Sequence, residues 1–189
     1  MKTAIIIGAT SGLGREAAAR LVAEGWKVGI AGRRTTELEA FQNEFGKDKV
    51  CIATMDVTRP ESVEALDALL SQTGDPDLFF YVSGVGYQNR ELDEEKEMRI
   101  IQTNSEGMVR MVVHFLHYVM THNYSKSHKA HIAVITSIAG TNGMGAFQPI
   151  LRPKRCRAPI LRLCHNSPVW IRFPFASPTY APVLSQQTS

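Results

Sequence analysis

The chain has 189 residues, 44% of them hydrophobic, and a formal net charge of +3. This is the size of one domain with a substantial core, and no run approaches the ~18 apolar residues of a membrane-spanning helix. With a strand beginning almost at the N-terminus and no charged-then-apolar leader before it, a soluble, cytoplasmic protein is expected. The averages conceal a division. All 14 glycines lie at or before Gly145 and all 18 acidic residues at or before Glu106, whereas seven of the nine prolines lie at Pro149 or later. Residues 1–148 sum to −3 and residues 149–189 to +6. A basic, acid-free terminus is one device for holding nucleic acid or a membrane surface. Here Arg152, Lys154, Arg155, Arg157, Arg162 and Arg172 form no helical stripe, and the prolines would break one, so neither partner is expected. Cys51, Cys156 and Cys164 show neither metal-site spacing nor a paired framework; they read as reduced thiols, and no metal site is expected.

Thr3 to Gly8 is a continuous apolar run of the kind a buried parallel strand shows. Gly12 to Glu24 follows with apolar residues at helical spacing and Gly25 as its stop. Lys27 to Ala31 repeats the strand signal, Thr36 to Phe45 the helix with Thr35 or Thr36 as cap, and Val50 to Met55 is a third strand. Pro60 opens a helix over Glu61 to Gln72, Leu78 to Val82 is a fourth strand, Glu91 to His122 a long helical stretch and His131 to Thr136 a fifth strand. Strands alternating with helices of this length imply right-handed crossovers and a parallel sheet covered on both faces, a doubly wound α/β fold. Beyond Gly145 prolines recur too often for a helix or a central strand, and no element is placed there.

Gly8-Ala9-Thr10-Ser11-Gly12-Leu13-Gly14 lies where the first strand hands over to the first helix. A pyrophosphate there would meet unpaired amide hydrogens and the positive end of the helix dipole, on a backbone that glycine leaves accessible. The strand before and the helix after separate such a turn from an ordinary glycine-rich loop. This Gly-x-x-x-Gly-x-Gly spacing resembles the short-chain dehydrogenase/reductase family, whose members transfer hydride between a nicotinamide cofactor and a carbonyl or alcohol substrate. The resemblance covers residues 1–148 and implies a Rossmann-type doubly wound parallel sheet. Residues 1–148 are then expected to form a partial, NADP(H)-binding domain, truncated after the fifth strand, and residues 149–189 an irregular tail.

In that family basic residues after the second strand or just after the glycine turn favour NADP. This chain has Arg33 and Arg34 behind Gly32, and also Arg15. A guanidinium grips a 2′-phosphate bidentately where a carboxylate would repel it. Asp56-Val57 after the third strand resembles the pair that holds the adenine ring. After the fourth strand the family's Asn-Asn-Ala-Gly is here Tyr81-Val82-Ser83-Gly84, which keeps the glycine and loses the asparagine contacts. The resemblance thus implies NADP(H) held by Gly8, Thr10, Ser11, Gly12, Leu13, Gly14, Arg15, Arg33, Arg34, Asp56, Val57 and Gly84.

For the chemistry, Asn104 takes the place of the family's helix asparagine, which holds a water and the active-site lysine in a proton relay. Ser137, after the fifth strand, takes the place of the catalytic serine that polarises the substrate carbonyl. The family then requires a tyrosine thirteen residues on and a lysine four beyond that. The chain has Ile150 and Lys154 at those positions. Isoleucine has no proton to transfer, and loss of a positioned acid costs roughly 10² to 10⁴ in rate.

The genetic code offers a reason. When codons are read from the third base of each residue to the second base of the next, Pro149 to Lys154 permit Tyr-Ser-Ala-Ser-Lys, with tyrosine falling at the place of Ile150. Phe175 to Gln187 in the same shifted frame permit Arg-Leu-Thr-Asp-Ile-Arg-Pro-Gly-Phe-Val-Ala-Thr, which resembles the family's sixth strand and Pro-Gly cofactor loop. A one-base frameshift is therefore expected, and with it a basic, glycine-free tail. Three functions follow: an NADP-dependent carbonyl or alcohol oxidoreductase that is inactive as written, a catalytically dead NADP(H)-binding fragment, and a nucleic-acid or membrane-surface binder acting through the tail. Family dimers and tetramers pair through two late helices, so a homo-oligomer is open to the repaired sequence. The apolar face of Met111, Val112, Phe115, Leu116 and Val119 is either core or interface.

Overall fold

The computed structural model describes residues 1–122 and 130–135, together with the backbone of residues 169–172. Its elements run β1 (Thr3–Ile7), α1 (Gly12–Ala23), β2 (Lys27–Gly32), α2 (Thr35–Phe45), β3 (Val50–Thr54), α3 (Ser62–Thr73), β4 (Leu78–Tyr81), α4 (Glu94–Ile101), α5 (Gly107–Thr121), β5 (Ala130–Val134) and β6 (Val169–Arg172). The six strands form one sheet in the order β3-β2-β1-β4-β5-β6, and every pairing is parallel. This is the Rossmann-type doubly wound sheet the sequence leads one to expect.

Strand β1 shows why the sheet forms. Ala4, Ile5, Ile6 and Ile7 are all fully buried. Because side chains alternate along a strand, Ile5 and Ile7 join a core with α3 and α5, while Ala4 and Ile6 join a second core with α1 and α2. Each buried isoleucine contributes roughly 1.5–3 kcal/mol relative to an exposed one, so a polar exchange anywhere in this run would damage one layer or the other. Met111, Val112, Phe115 and Val119 are buried in the first core and Leu116 packs at its edge, which makes that face of α5 core.

Four local details depart from the sequence-based expectation. Helix α2 takes its N-cap at Arg34 rather than at Thr35 or Thr36, and α3 begins after Glu61, because Arg59, Pro60 and Glu61 close a turn first. The expected helix over Glu91 to His122 divides into α4 and α5 around a π-helical turn at Gln102–Glu106. Finally, Val169–Arg172 pairs with β5 in a stretch where no element was placed. Val-Trp-Ile-Arg is a β-branched and aromatic run between Pro168 and Pro174, and proline is compatible with a strand that begins just after it.

Candidate cofactor cleft

A cleft of about 670 Å³ opens at the carboxyl ends of the strands, where the order reverses between β1 and β4. Both its size and its place are those of ligand sites in open α/β sheets. Strands β1 to β5 each deliver residues at their carboxyl ends to the wall: Gly8 and Thr10 after β1, Gly32 to Arg34 from β2, Met55 to Val57 after β3, Val82 to Val85 after β4 and Ile135 after β5.

The glycine turn forms the floor. Gly8 has φ +101°, and its amide donates to the Ala31 carbonyl at 2.8 Å. A Cβ at Gly8 would come within 2.6 Å of the Ser83 amide nitrogen, and one at Gly14 would overlap the Gly8 carbonyl oxygen. Both positions therefore need hydrogen where other residues carry a side chain, and α1 can start hard against the end of β1. The N-cap Ser11 makes no side-chain capping hydrogen bond, and the first turn of α1 carries no acidic residue. Its amides are thus not held by a capping side chain at the end of the helix where an anion is favoured. Thr10, Ser11 and Leu13 line the cleft beside this turn.

The basic wall is asymmetric. Arg33 and Arg34 both line the cleft, and Arg34 donates from Nε and Nη2 to Thr10 Oγ1 at 3.3 and 2.9 Å. That bond joins the segment after β2 to the phosphate turn. Arg15 lies differently. Its guanidinium pairs with Glu44 at 2.8 Å and sits over the Phe41 ring, on the α1–α2 side, and it does not line the cleft.

At the end of β3, Asp56 Oδ1 accepts from both the amide and the hydroxyl of Thr58, at 3.0 and 2.8 Å. Partial burial would raise the pKa of this carboxyl. The two Thr58 bonds and the nearby charges of Arg33 and Arg59 outweigh it and hold the pKa below the ordinary value of 3.8. Asp56 is therefore a carboxylate at neutral pH.

On the far side, Asn104 is buried within the π-helical turn. Its side-chain amide donates to the Val85 carbonyl at 2.7 Å and accepts from the Val85 amide at 2.8 Å, so it holds the loop after β4, where Gly84 lies, as a neighbouring strand would. Tyr81, fully buried at the end of β4, donates its hydroxyl to the Thr103 carbonyl at 3.1 Å and ties the same turn to the sheet. A π-helical turn at such a place is common where a functional residue is presented. Ser137, Lys154 and position 150 lie outside the described residues. Ser83, Val85 and Thr103 join the cleft wall although sequence reasoning did not select them as site residues; the signal that could have found Thr103 is its place beside Asn104.

The chain belongs to the short chain dehydrogenase family, whose pattern matches residues 2–149. It is 31% identical over 148 residues to an uncharacterized oxidoreductase of Myxococcus xanthus, an alignment covering 76% of this chain and 56% of that one. Among solved structures it is similar to an alcohol dehydrogenase from the archaeon Thermococcus sibiricus complexed with 5-hydroxy-NADP, with TM-score 0.79 and 28% identity over 92% of this chain and 74% of that one. A 3-ketoacyl-(acyl-carrier-protein) reductase from Brucella melitensis complexed with NADH superimposes with TM-score 0.74 and 26% identity, covering 87% of this chain and 67% of the other. The chain spans about half the length of the curated relatives it matches. Among the described residues no helix is long and apolar enough to cross a membrane.

Proposed function

We propose that the cleft binds a nicotinamide dinucleotide, NADP(H) in preference to NAD(H), and that it is the cofactor site of an oxidoreductase acting on small carbonyl or alcohol compounds. The residues present fit such a group: a glycine turn that leaves no side chain over the floor, a helix N-terminus for the pyrophosphate, and a carboxylate and a guanidinium pair on the adenosine side. When bound, the cofactor supplies or accepts hydride. The chain's own residues orient it: Thr10 and Ser11 border the pyrophosphate position, Asp56 and Val57 border the adenine, and Asn104 fixes the loop after β4.

The observation that carries the NADP preference is the pair Arg33 and Arg34 on the cleft wall, with Arg34 anchored on Thr10. Two guanidinium groups there match a 2′-phosphate and have no comparable partner in a free 2′-hydroxyl. Replacing both, Arg33→Ala with Arg34→Ala, is expected to weaken NADPH binding roughly ten- to hundredfold and to leave NADH binding within about twofold. Equal losses for the two nucleotides would sink the preference. In the chain as written, Ile150 stands where a proton donor is needed, so cofactor binding without turnover is the expected behaviour. The family match reaches residue 149 and stops one residue short of that position, which supports a change of reading frame there.

A further inference from the structure

Arg110, on the first turns of α5, reaches a loop 53 residues away in sequence. Its Nη1 donates to the Val57 carbonyl at 2.6 Å, and its Nη2 pairs with Glu106, the last residue of the π-helical turn, at 2.5 Å. The Arg110 side chain is only 19% exposed, so its bond to Val57 lies largely out of water, where a charge-assisted hydrogen bond is strongest. Beside it, Gly107 is pressed on the same residue: a Cβ there would meet Val57 Cγ2 at 2.7 Å and the Val57 carbonyl oxygen at 3.0 Å. Val57 is itself buried and, with Asp56, forms the cleft wall after β3. The loop has its own order as well, since Asp56 takes two bonds from Thr58 and the Arg59 amide donates to the Asp56 carbonyl at 3.0 Å.

We propose that Arg110 is a positioning residue for the adenine end of the cleft. It locks the Asp56–Val57 segment onto the helix whose π-helical turn presents Asn104, and so sets the distance between the two walls that a dinucleotide must span. The Thr58 bonds give the loop its shape, and Arg110 gives it its place. Glu106 aims the guanidinium, because pairing Nη2 leaves Nη1 directed at Val57. This inference rests on the reading of the cleft as a dinucleotide site.

The test uses the full chain, Arg110→Met, which keeps length and removes the donors, and Arg110→Lys, which keeps one charged donor. Without nucleotide, amide hydrogen exchange at Thr58 and Arg59 is expected to quicken in the methionine variant while amides of β1 and β2 stay as protected as before. With adenosine 2′,5′-bisphosphate as probe, the methionine variant is expected to bind about tenfold more weakly, and lysine to recover most of that loss. Combined with Asp56→Asn, the two losses are expected to be less than additive, because both act through one loop. Unchanged exchange at Thr58 and Arg59, or a loss of affinity that is fully additive and that lysine does not recover, overturns the role. If the unaltered chain does not bind the bisphosphate at all, the reading of the cleft fails, and the exchange comparison still decides whether Arg110 holds the loop.

Discussion

Asp56 shows how one side chain serves both fold and site. Its carboxylate shapes the turn through Thr58 and faces the charges of Arg33 and Arg59, which together keep it ionised despite partial burial. A carboxyl whose pKa is lowered on folding contributes stability that is fully present above its unfolded value and is lost as pH falls through the folded one. Asp56→Asn keeps the acceptor for Thr58 and removes only the charge. The variant is expected to be less stable than the parent at pH 7, by a fraction of ~1 kcal/mol because the group is only partly buried, and the difference should begin to shrink as pH falls past the ordinary value of 3.8 and be lost below the lowered folded value. Thermal melts of both proteins between pH 7 and pH 3 measure this; a gap that does not change with pH would mean that the charge contributes nothing. Arg15 is the contrasting residue. Its position just after the glycine turn suggests phosphate binding, yet it sits one helical turn along α1, over Phe41 and beside Glu44. Position along the chain gave its neighbourhood and not its direction.

At the scale of elements, the strands were legible because burial on both faces leaves continuous apolar runs such as Ala4 to Ile7, and the glycine turn because its spacing is forced by close backbone contact. Helix caps were less legible: Thr35 is a good capping residue by type, but its hydroxyl bonds Thr54 on the neighbouring strand and Arg34 takes the cap position. The π-helical turn was not legible at all. Gln102-Thr103-Asn104-Ser105-Glu106 continues a helical pattern without interruption, and the turn is fixed by partners distant in sequence, Tyr81 on Thr103 and Val85 on Asn104. The same holds for Arg110, whose contact with Val57 no local pattern announces. Tyr81 is instructive in another way. It replaces an asparagine of the family's pattern, and its buried hydroxyl supplies a different bond to the same region, one that the substitution alone did not foretell.

Across the whole molecule, the sheet, its two cores and the cleft at the strand reversal are those of the short chain dehydrogenase family. The change in composition at Pro149 falls where the family match stops, and the shifted frame permits Tyr-Ser-Ala-Ser-Lys at the spacing from Ser137 that the family's pattern has. Sequencing source DNA across the codons for Gly145 to Lys154 is expected to find a one-base difference there; an identical reading from source DNA would make Ile150 the true residue and a chain without turnover the true product. Binding is a separate matter, because the described residues that line the cleft all precede that point. The most direct measurement of the central claim is therefore a fluorescence titration of the unaltered chain with NADPH and, in parallel, with NADH. Saturable binding of NADPH, at least tenfold tighter than that of NADH, is the result the cleft predicts. Absence of saturation with either nucleotide, or equal affinity for both, would contradict it.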